Sequence, residues 1–216
     1  MTDQMTNQPA AALARLLEGN RRYVSGNLTH GAGANGARRA EVAAGQAPFA
    51  TVVACADSRV TPEFIFDVGL GEIFVCRNAG NLADDDVVGS LEYAAIHTGC
   101  PLLCIVGHSR CGAATAAVEA DGYPDLAETP CIASIVRAMS QAVAVVQGDD
   151  ADGVARIDAA ARANVEIQCN DMLLRSEAIT QGVAEGRVGI VGLWYDLDSG
   201  EVTTIVPLLV GAEARV

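Results

Sequence analysis

Apolar residues recur with a helical period near the start of the chain. Between residues 10 and 24 they form one stripe, and charged residues fill most of the remaining positions. The stripe consists of Leu13, Leu16, Leu17 and Val24. The pair Gly26–Asn27 ends the pattern, as expected just after a helix. We therefore predict an amphipathic N-terminal helix over about residues 9–25.

Four short runs are apolar and rich in β-branched residues along their whole length. Such runs are typical of strands that are buried on both faces of a parallel sheet. They are Phe49–Ala56, Glu72–Arg77, Leu102–Val106 and Val188–Tyr195. A turn at Asp196–Gly200 then leads into a fifth run, Val202–Leu208. The last two runs predict an antiparallel hairpin.

Helical patterns occupy the stretches between the predicted strands. Asp84–Thr98 begins with three aspartates, which suit the electropositive end of a helix. Cys131–Gly186 is rich in alanine and broadly helical, with a break around Gln147–Gly153, whereas the glycine-rich Thr29–Gly36 is typical of a loop. Strands that alternate with helices predict one α/β domain over residues 1–216. Its mainly parallel central sheet is expected to be flanked by helices and to carry an antiparallel edge strand.

Composition and charge narrow the class of protein. Half of the residues are apolar and only 19% are charged, so the chain is expected to fold. The formal net charge of -13 disfavours nucleic acid and anionic membranes, because phosphate binding depends on Lys and Arg. The first ten residues lack a secretory signal, and no apolar run approaches the ~20 residues that cross a bilayer. We expect a cytoplasmic protein whose partner is a small molecule or another copy of itself.

Metal-binding side chains follow two of the predicted strands. Cys55–Arg59 (C-A-D-S-R) ends the first strand, and Gly107–Gly112 (G-H-S-R-C-G) ends the third. In open α/β sheets, ligands bind outside the carboxyl ends of the strands. Cys55, His108 and Cys111 are ligand types that zinc takes, and a fourth position would remain for water. The alternative is that both cysteines are core thiols and the histidine is an ordinary loop residue.

Other uses of these residues are less well supported. The chain has seven cysteines, an odd number, and in a chain of this kind metal ligation or catalysis is commoner than disulfide formation. No G-x-G-x-x-G motif follows the first predicted strand, which disfavours dinucleotide binding. No G-x-S-x-G motif is present, which disfavours a serine hydrolase.

Asp57 and Arg59 lie two and four positions beyond Cys55. An aspartate held by an arginine keeps its charge and a fixed orientation, so it could accept a hydrogen bond from a metal-bound hydroxide. The alternative is a surface ion pair, which contributes little to stability.

The motifs C-x-D-S-R and H-x-x-C resemble the two signatures of the β-class carbonic anhydrases. The resemblance continues through Gly71–Val75, Arg77–Asn81 and Ser90–Ala94, and it covers about residues 15–203. It implies reversible hydration of carbon dioxide to bicarbonate and a proton by attack of a zinc-bound hydroxide. It also implies one zinc ion per subunit, held by the two cysteines and the histidine named above.

The resemblance further implies a role for Asp57. Oriented by Arg59, it would accept a hydrogen bond from the zinc-bound hydroxide and direct the lone pair at the substrate. Val52 stands where a bicarbonate-regulated subgroup has tryptophan. We therefore expect Asp57 to stay paired with Arg59 and to leave the fourth zinc position to water.

The same resemblance implies a substrate pocket built by two subunits. Its substrate-binding residues would be Gln46, Phe74, Tyr93 and Gly112, of which the first three commonly reach across a dimer interface. His97 matches a position proposed as a proton shuttle in plant-type members. The implied assembly is a homodimer or a tetramer made of two such dimers, and its N-terminal helix packs on the partner subunit.

Two alternative functions remain open from the sequence. A related zinc hydrolase could attack carbon disulfide or carbonyl sulfide by the same route. A non-catalytic zinc or thiol sensor could use the same cysteines, but it would need a closed coordination sphere.

Overall fold

A five-stranded β-sheet forms the centre of the computed structural model, which describes residues 7–29, 36–146 and 153–211. The strands are β1 (Ala50–Cys55), β2 (Ile73–Asn78), β3 (Leu102–His108), β4 (Gly189–Tyr195) and β5 (Val202–Leu209). They lie in the order β2-β1-β3-β4-β5, and only the β4–β5 pair is antiparallel. The predicted α/β domain with a mainly parallel sheet is confirmed.

Helices pack on both faces of this sheet. The α-helices of the described ranges are α1 (Asn7–Ser25), α2 (Gly36–Val42), α3 (Pro62–Ile65), α4 (Asp85–Tyr93), α5 (Gly112–Glu119), α6 (Pro130–Val145), α7 (Gly153–Arg175) and α8 (Glu177–Ala184), and of these α2 has no buried residue. A π-helical turn, Ala94–Thr98, continues α4 to the predicted end of that helix. The long helical stretch predicted before β4 therefore consists of three helices, α6 to α8. The predicted break at residues 147–153 and the predicted loop at residues 29–36 fall almost wholly outside the described residues.

Strands β1, β3 and β4 are buried on both faces, as their apolar sequences predicted. Alternate side chains of each strand enter different apolar clusters. On β1, Val52 packs in the cluster that includes Leu16 of α1, and Val53 packs in the cluster that includes Met172 of α7. The carboxyl ends of these central strands are therefore held by packing from both sides.

Full burial was a wrong prediction for β2. Its residues are partly exposed along the whole strand, and Arg77 is exposed. The physical reason is position, because β2 is an edge strand that pairs only with β1 in the described part of the chain. Large apolar side chains nearby are also exposed, including Tyr93 at 49% and Ile96 at 58%.

The N-terminal helix α1 packs the leucines of its predicted apolar stripe against its own sheet. Leu16 is fully buried, and Leu13 and Leu17 pack against the same core cluster. Gly19 allows a close approach, because a Cβ atom there would lie 1.8 Å from the carbonyl oxygen of Phe66. The three leucines of the stripe thus pack within one chain, whereas Val24 is 42% exposed, and packing of this helix on a partner subunit stays a prediction.

Among the helices of the described ranges, none has the length and apolar character needed to cross a bilayer.

Candidate metal centre

Two adjacent parallel strands bring the candidate ligands together. Cys55 is the last residue of β1, His108 is the last residue of β3, and Cys111 directly precedes α5. Because β1 and β3 are neighbours in the sheet, their carboxyl ends meet at one edge. One ligand atom from each residue lies within 4.8 Å of the other two, and all three residues are at least 95% buried.

The histidine of this cluster has a nitrogen that lacks a protein partner. Nδ1 of His108 lies 2.9 Å from the carbonyl oxygen of Ser109, so Nδ1 carries a proton and donates it. Nε2 is buried and has no hydrogen-bond partner among the described residues. A buried polar atom without a partner costs free energy. Two sulfur atoms beside a free imidazole nitrogen fit a zinc ion, which binds sulfur at ~2.3 Å and nitrogen at ~2.0 Å.

The two thiols of the cluster influence each other strongly. A hydrogen bond with Cys111 lowers the pKa of Cys55 to about 4, and the backbone N–H of Gly80 acts in the same direction. The same contact with Cys55, together with burial, raises the pKa of Cys111. Cys55 therefore loses its proton easily, whereas Cys111 loses its proton only if a positive charge lies nearby. A bound cation supplies that charge, because coordinating thiols lose their protons.

Asp57 is fixed beside this cluster by Arg59, as predicted. The Nε atom of Arg59 lies 2.9 Å from Oδ1 of Asp57, and Nη2 lies 2.7 Å from Oδ2. The backbone N–H of Arg59 also donates to Oδ1, at 2.9 Å. Hydrogen bonding from Arg59 outweighs the effect of partial burial and lowers the pKa of Asp57 to about 2. The carboxylate is thus an oriented anion at neutral pH.

Arg77 holds the backbone of the Cys55–Arg59 segment, a role that sequence reasoning missed. Its Nε donates to the carbonyl oxygen of Cys55 at 3.0 Å, and its Nη2 donates to that of Asp57 at 2.7 Å. The sequence shows Arg77 only as part of a matched motif. An arginine directly after four apolar residues of a strand was the available signal.

The turn from His108 to Cys111 is fixed by contacts that the sequence did not reveal. Arg110 adopts a left-handed backbone with φ of 54°, and its N–H donates to Oδ1 of Asp158 at 2.6 Å. Its guanidinium group pairs with Asp198 in the β4–β5 turn, at 2.8 and 3.0 Å. The hydroxyl of Ser109 accepts a hydrogen bond from the backbone N–H of Leu197 at 2.9 Å.

The aromatic residues assigned to the pocket lie away from the metal cluster of their own chain. The rings of Phe74 and Tyr93 are 6.4 Å apart, and those of Tyr93 and His97 are 4.9 Å apart. Cys55 pairs in register with Asn78, four residues beyond Phe74. At ~3.3 Å per residue, Phe74 lies ~13 Å along the sheet from that position.

The other two pocket residues lie in different places. Gln46 is exposed before the amino end of β1, opposite the end that carries Cys55, in a shallow hollow beside Leu70 and Gly71. Gly112 is exposed as the first residue of α5, directly after Cys111. Apart from its chain neighbours and the backbone of its own helix, no atom of the described residues lies within 4 Å of the position that a Cβ atom would take there. One chain thus brings together the ligands, Asp57, Arg59 and Gly112.

Comparisons with known proteins agree on one family. Residues 50–202, which include the whole metal cluster, match the family described as carbonic anhydrase. Carbonic anhydrase 2 of Mycobacterium tuberculosis is 40% identical over 192 residues, which cover 89% of this chain and 90% of that protein. The carbonic anhydrase of Mycolicibacterium smegmatis is 38% identical over 198 residues, with coverage of 91% and 93%.

Similarity extends to solved structures. The structure of a Coccomyxa β-carbonic anhydrase in complex with acetazolamide has a TM-score of 0.73 with this chain. The two sequences are 28% identical, and the match covers 93% of this chain and 89% of the other.

Proposed function

Since this chain belongs to the β-carbonic anhydrase family and is an enzyme of carbon dioxide hydration, we propose that Cys55, His108 and Cys111 bind the zinc ion of its active site. The observation that carries this proposal is the buried cluster of Cys55, His108 and Cys111, whose three ligand atoms lie within 4.8 Å of one another and in which Nε2 of His108 has no hydrogen-bond partner among the described residues. Two thiolates and one imidazole are a donor set that suits zinc. We propose one ion per subunit.

Zinc in such a site lowers the pKa of water, so that a hydroxide nucleophile is available near neutral pH. The residues of this chain orient the reaction. The carboxylate of Asp57 can only accept hydrogen bonds at neutral pH, because its pKa is about 2. It therefore accepts the O–H of the nucleophile and directs the oxygen lone pair towards carbon dioxide. Arg59 holds the carboxylate in this orientation.

Arg77 supports this arrangement through the backbone. Its two hydrogen bonds fix the carbonyl groups of Cys55 and Asp57, and these residues carry one ligand and the orienting carboxylate. A single side chain thus sets the spacing between them. Gly112 leaves open space beside Cys111, which substrate can occupy.

The remaining pocket residues require a second copy of the chain. Gln46, Phe74 and Tyr93 lie away from their own metal cluster, and the half-exposed edge strand β2 carries Phe74. We propose a homodimer in which each chain supplies these residues to its neighbour. The exposed His97, whose ring lies next to that of Tyr93, would accept the product proton in that assembly. Pairing of dimers into a tetramer is compatible with this arrangement, and the cytoplasmic location stays a prediction.

Metal analysis and activity assays on the purified protein test the proposal. We expect one equivalent of zinc per chain and stopped-flow hydration of carbon dioxide that a chelator abolishes and added zinc restores. Carbon disulfide and carbonyl sulfide serve as control substrates, because a hydrolase for either would turn it over faster than carbon dioxide. Zinc binding without turnover of any of the three would indicate a sensor and contradict the proposal.

A further inference from the structure

Helix α7 carries two amide side chains on a face that is otherwise apolar. Asn164 and Gln168 are 1% and 3% exposed, and Val165 and Cys169 beside them are fully buried in the core. Nε2 of Gln168 donates to Oδ1 of Asn164 at 3.1 Å. Oε1 of Gln168 accepts the backbone N–H of Ala83 at 2.7 Å. Burying two amides in place of apolar side chains needs a reason, because polar groups are costly to desolvate.

The side-chain amide of Asn164 is connected to the metal cluster through one glycine, Gly80. Nδ2 of Asn164 donates to the carbonyl oxygen of Gly80 at 2.9 Å. The N–H of the same glycine donates to Sγ of Cys55, with a nitrogen–sulfur distance of 3.4 Å. A continuous series of hydrogen bonds therefore connects the interior of α7 to a candidate ligand atom.

Gly80 can hold this position only with a special backbone conformation. Its φ is 86°, in the left-handed region that favours glycine. A Cβ atom would lie 3.1 Å from Cβ of Ala113 and 3.3 Å from Sδ of Met139. The glycine is thus pressed against α5 and α6 while Asn164 fixes its carbonyl group. These restraints direct its N–H at the sulfur.

A hydrogen bond to a thiolate withdraws electron density from the sulfur and fixes its direction. Groups that contact metal ligands in this way set the ligand geometry and the donor strength, and their loss typically weakens metal binding by about 10- to 100-fold.

We propose that Asn164 and Gln168 are positioning residues of the metal centre, which hold Gly80 so that its N–H donates to the Cys55 thiolate. They thereby set the electron density that this sulfur gives to the metal ion and the affinity for the ion. The inference rests on the metal centre proposed above.

Two substitutions in α7 interrupt this series of hydrogen bonds at different points. Asn164→Leu keeps most of the side-chain volume and removes the donor to Gly80. Gln168→Met removes the group that orients Asn164 and leaves Asn164 in place. The control is Met172→Ala, which opens the same helix in an apolar cluster and touches none of the hydrogen bonds above.

The readouts are the sulfur-to-cobalt charge-transfer absorption of the cobalt-loaded protein and the metal affinity in competition with a chelator. We expect Asn164→Leu to move the absorption to lower energy, because the sulfur loses a hydrogen bond and becomes more electron-rich. The affinity should fall by about 10-fold or more, because the sulfur is no longer held in its binding direction. Gln168→Met should show the same changes to a smaller extent. If Asn164→Leu does not fold, Gln168→Met alone tests the inference. Met172→Ala should leave both readouts unchanged.

Wild-type absorption and affinity in either α7 amide variant that folds would overturn the inference, as would equal changes in Met172→Ala. A wild-type protein that binds neither zinc nor cobalt would instead contradict the metal centre itself. The two failures are thus distinguishable.

Discussion

At the scale of single residues, the candidate metal centre depends on an aspartate whose charge and orientation are set by a neighbouring arginine. Asp57 is a fixed anion because three hydrogen bonds from Arg59 reach its two oxygens. The sequence predicted this pair because its two residues stand close together in one motif, and it predicted the ligand cluster because Cys55 and His108 end two strands of one sheet. It could not predict the contacts of Arg77, which depend on how strand β2 aligns with β1.

Replacing Asp57 with asparagine tests the role of the carboxylate. Asp57→Asn keeps the size of the side chain, removes its charge and replaces one of its two acceptor oxygens with an NH2 donor, so the nucleophile loses an acceptor that Arg59 holds in place. We expect kcat/KM for carbon dioxide hydration to fall by about 100-fold or more, with unchanged zinc content, since small errors in orientation are that costly. Stopped-flow assays with metal analysis measure both quantities. Wild-type activity in this variant would show that the carboxylate does not orient the reaction.

At the scale of structural elements, the turn between β3 and α5 depends on its neighbours in space. The backbone N–H of Arg110 is bound by Asp158 of α7, and the guanidinium group is bound by Asp198 of the β4–β5 turn. The sequence placed α7 only within a long helical stretch and gave no sign that it supports the turn. Likewise, it predicted strand β2 but not its exposure, because an apolar run does not reveal whether a strand lies at an edge.

Replacing each of the two aspartates that contact Arg110 gives a matched pair of variants, which tests what holds the turn between His108 and Cys111. We expect Asp158→Ala to weaken zinc retention by about 10-fold, because the left-handed turn between His108 and Cys111 loses the acceptor for its N–H. Asp198→Ala removes an ion pair whose carboxylate side chain is 76% exposed, so it should change retention little. Chelator competition followed by absorbance measures both. Equal effects of the two variants would contradict this assignment.

At the scale of the whole molecule, one chain does not bring all of the predicted pocket residues together. The fold class was predictable, since runs of apolar residues and the spacing of turns determine an α/β sheet largely by local pattern. The assembly was not predictable from those patterns, and it entered only through family resemblance. In the structure, Gln46 and the Phe74–Tyr93 pair lie away from the metal cluster of their own chain.

Mixing two inactive variants tests whether each pocket is shared between chains. Cys111→Ala removes a ligand, and Gln46→Ala removes a pocket residue. If Gln46 serves the neighbouring subunit, a mixed dimer contains one intact site, and random exchange restores about a quarter of wild-type activity. Separately purified variants, mixed after partial unfolding and refolding, provide the assay. Continued inactivity, with mixed dimers shown by mass spectrometry, would place Gln46 outside the neighbouring site.

The most direct test of the central claim compares two buried cysteines. Cys111 is a proposed zinc ligand, whereas Cys100 is equally buried and lies outside the metal cluster. Stopped-flow carbon dioxide hydration and zinc content are measured for the wild type, Cys111→Ala and Cys100→Ala. We expect Cys111→Ala to lose zinc and activity together while Cys100→Ala keeps both. A metal-free wild type with full activity, or a Cys111→Ala variant that retains both zinc and activity, would contradict the account.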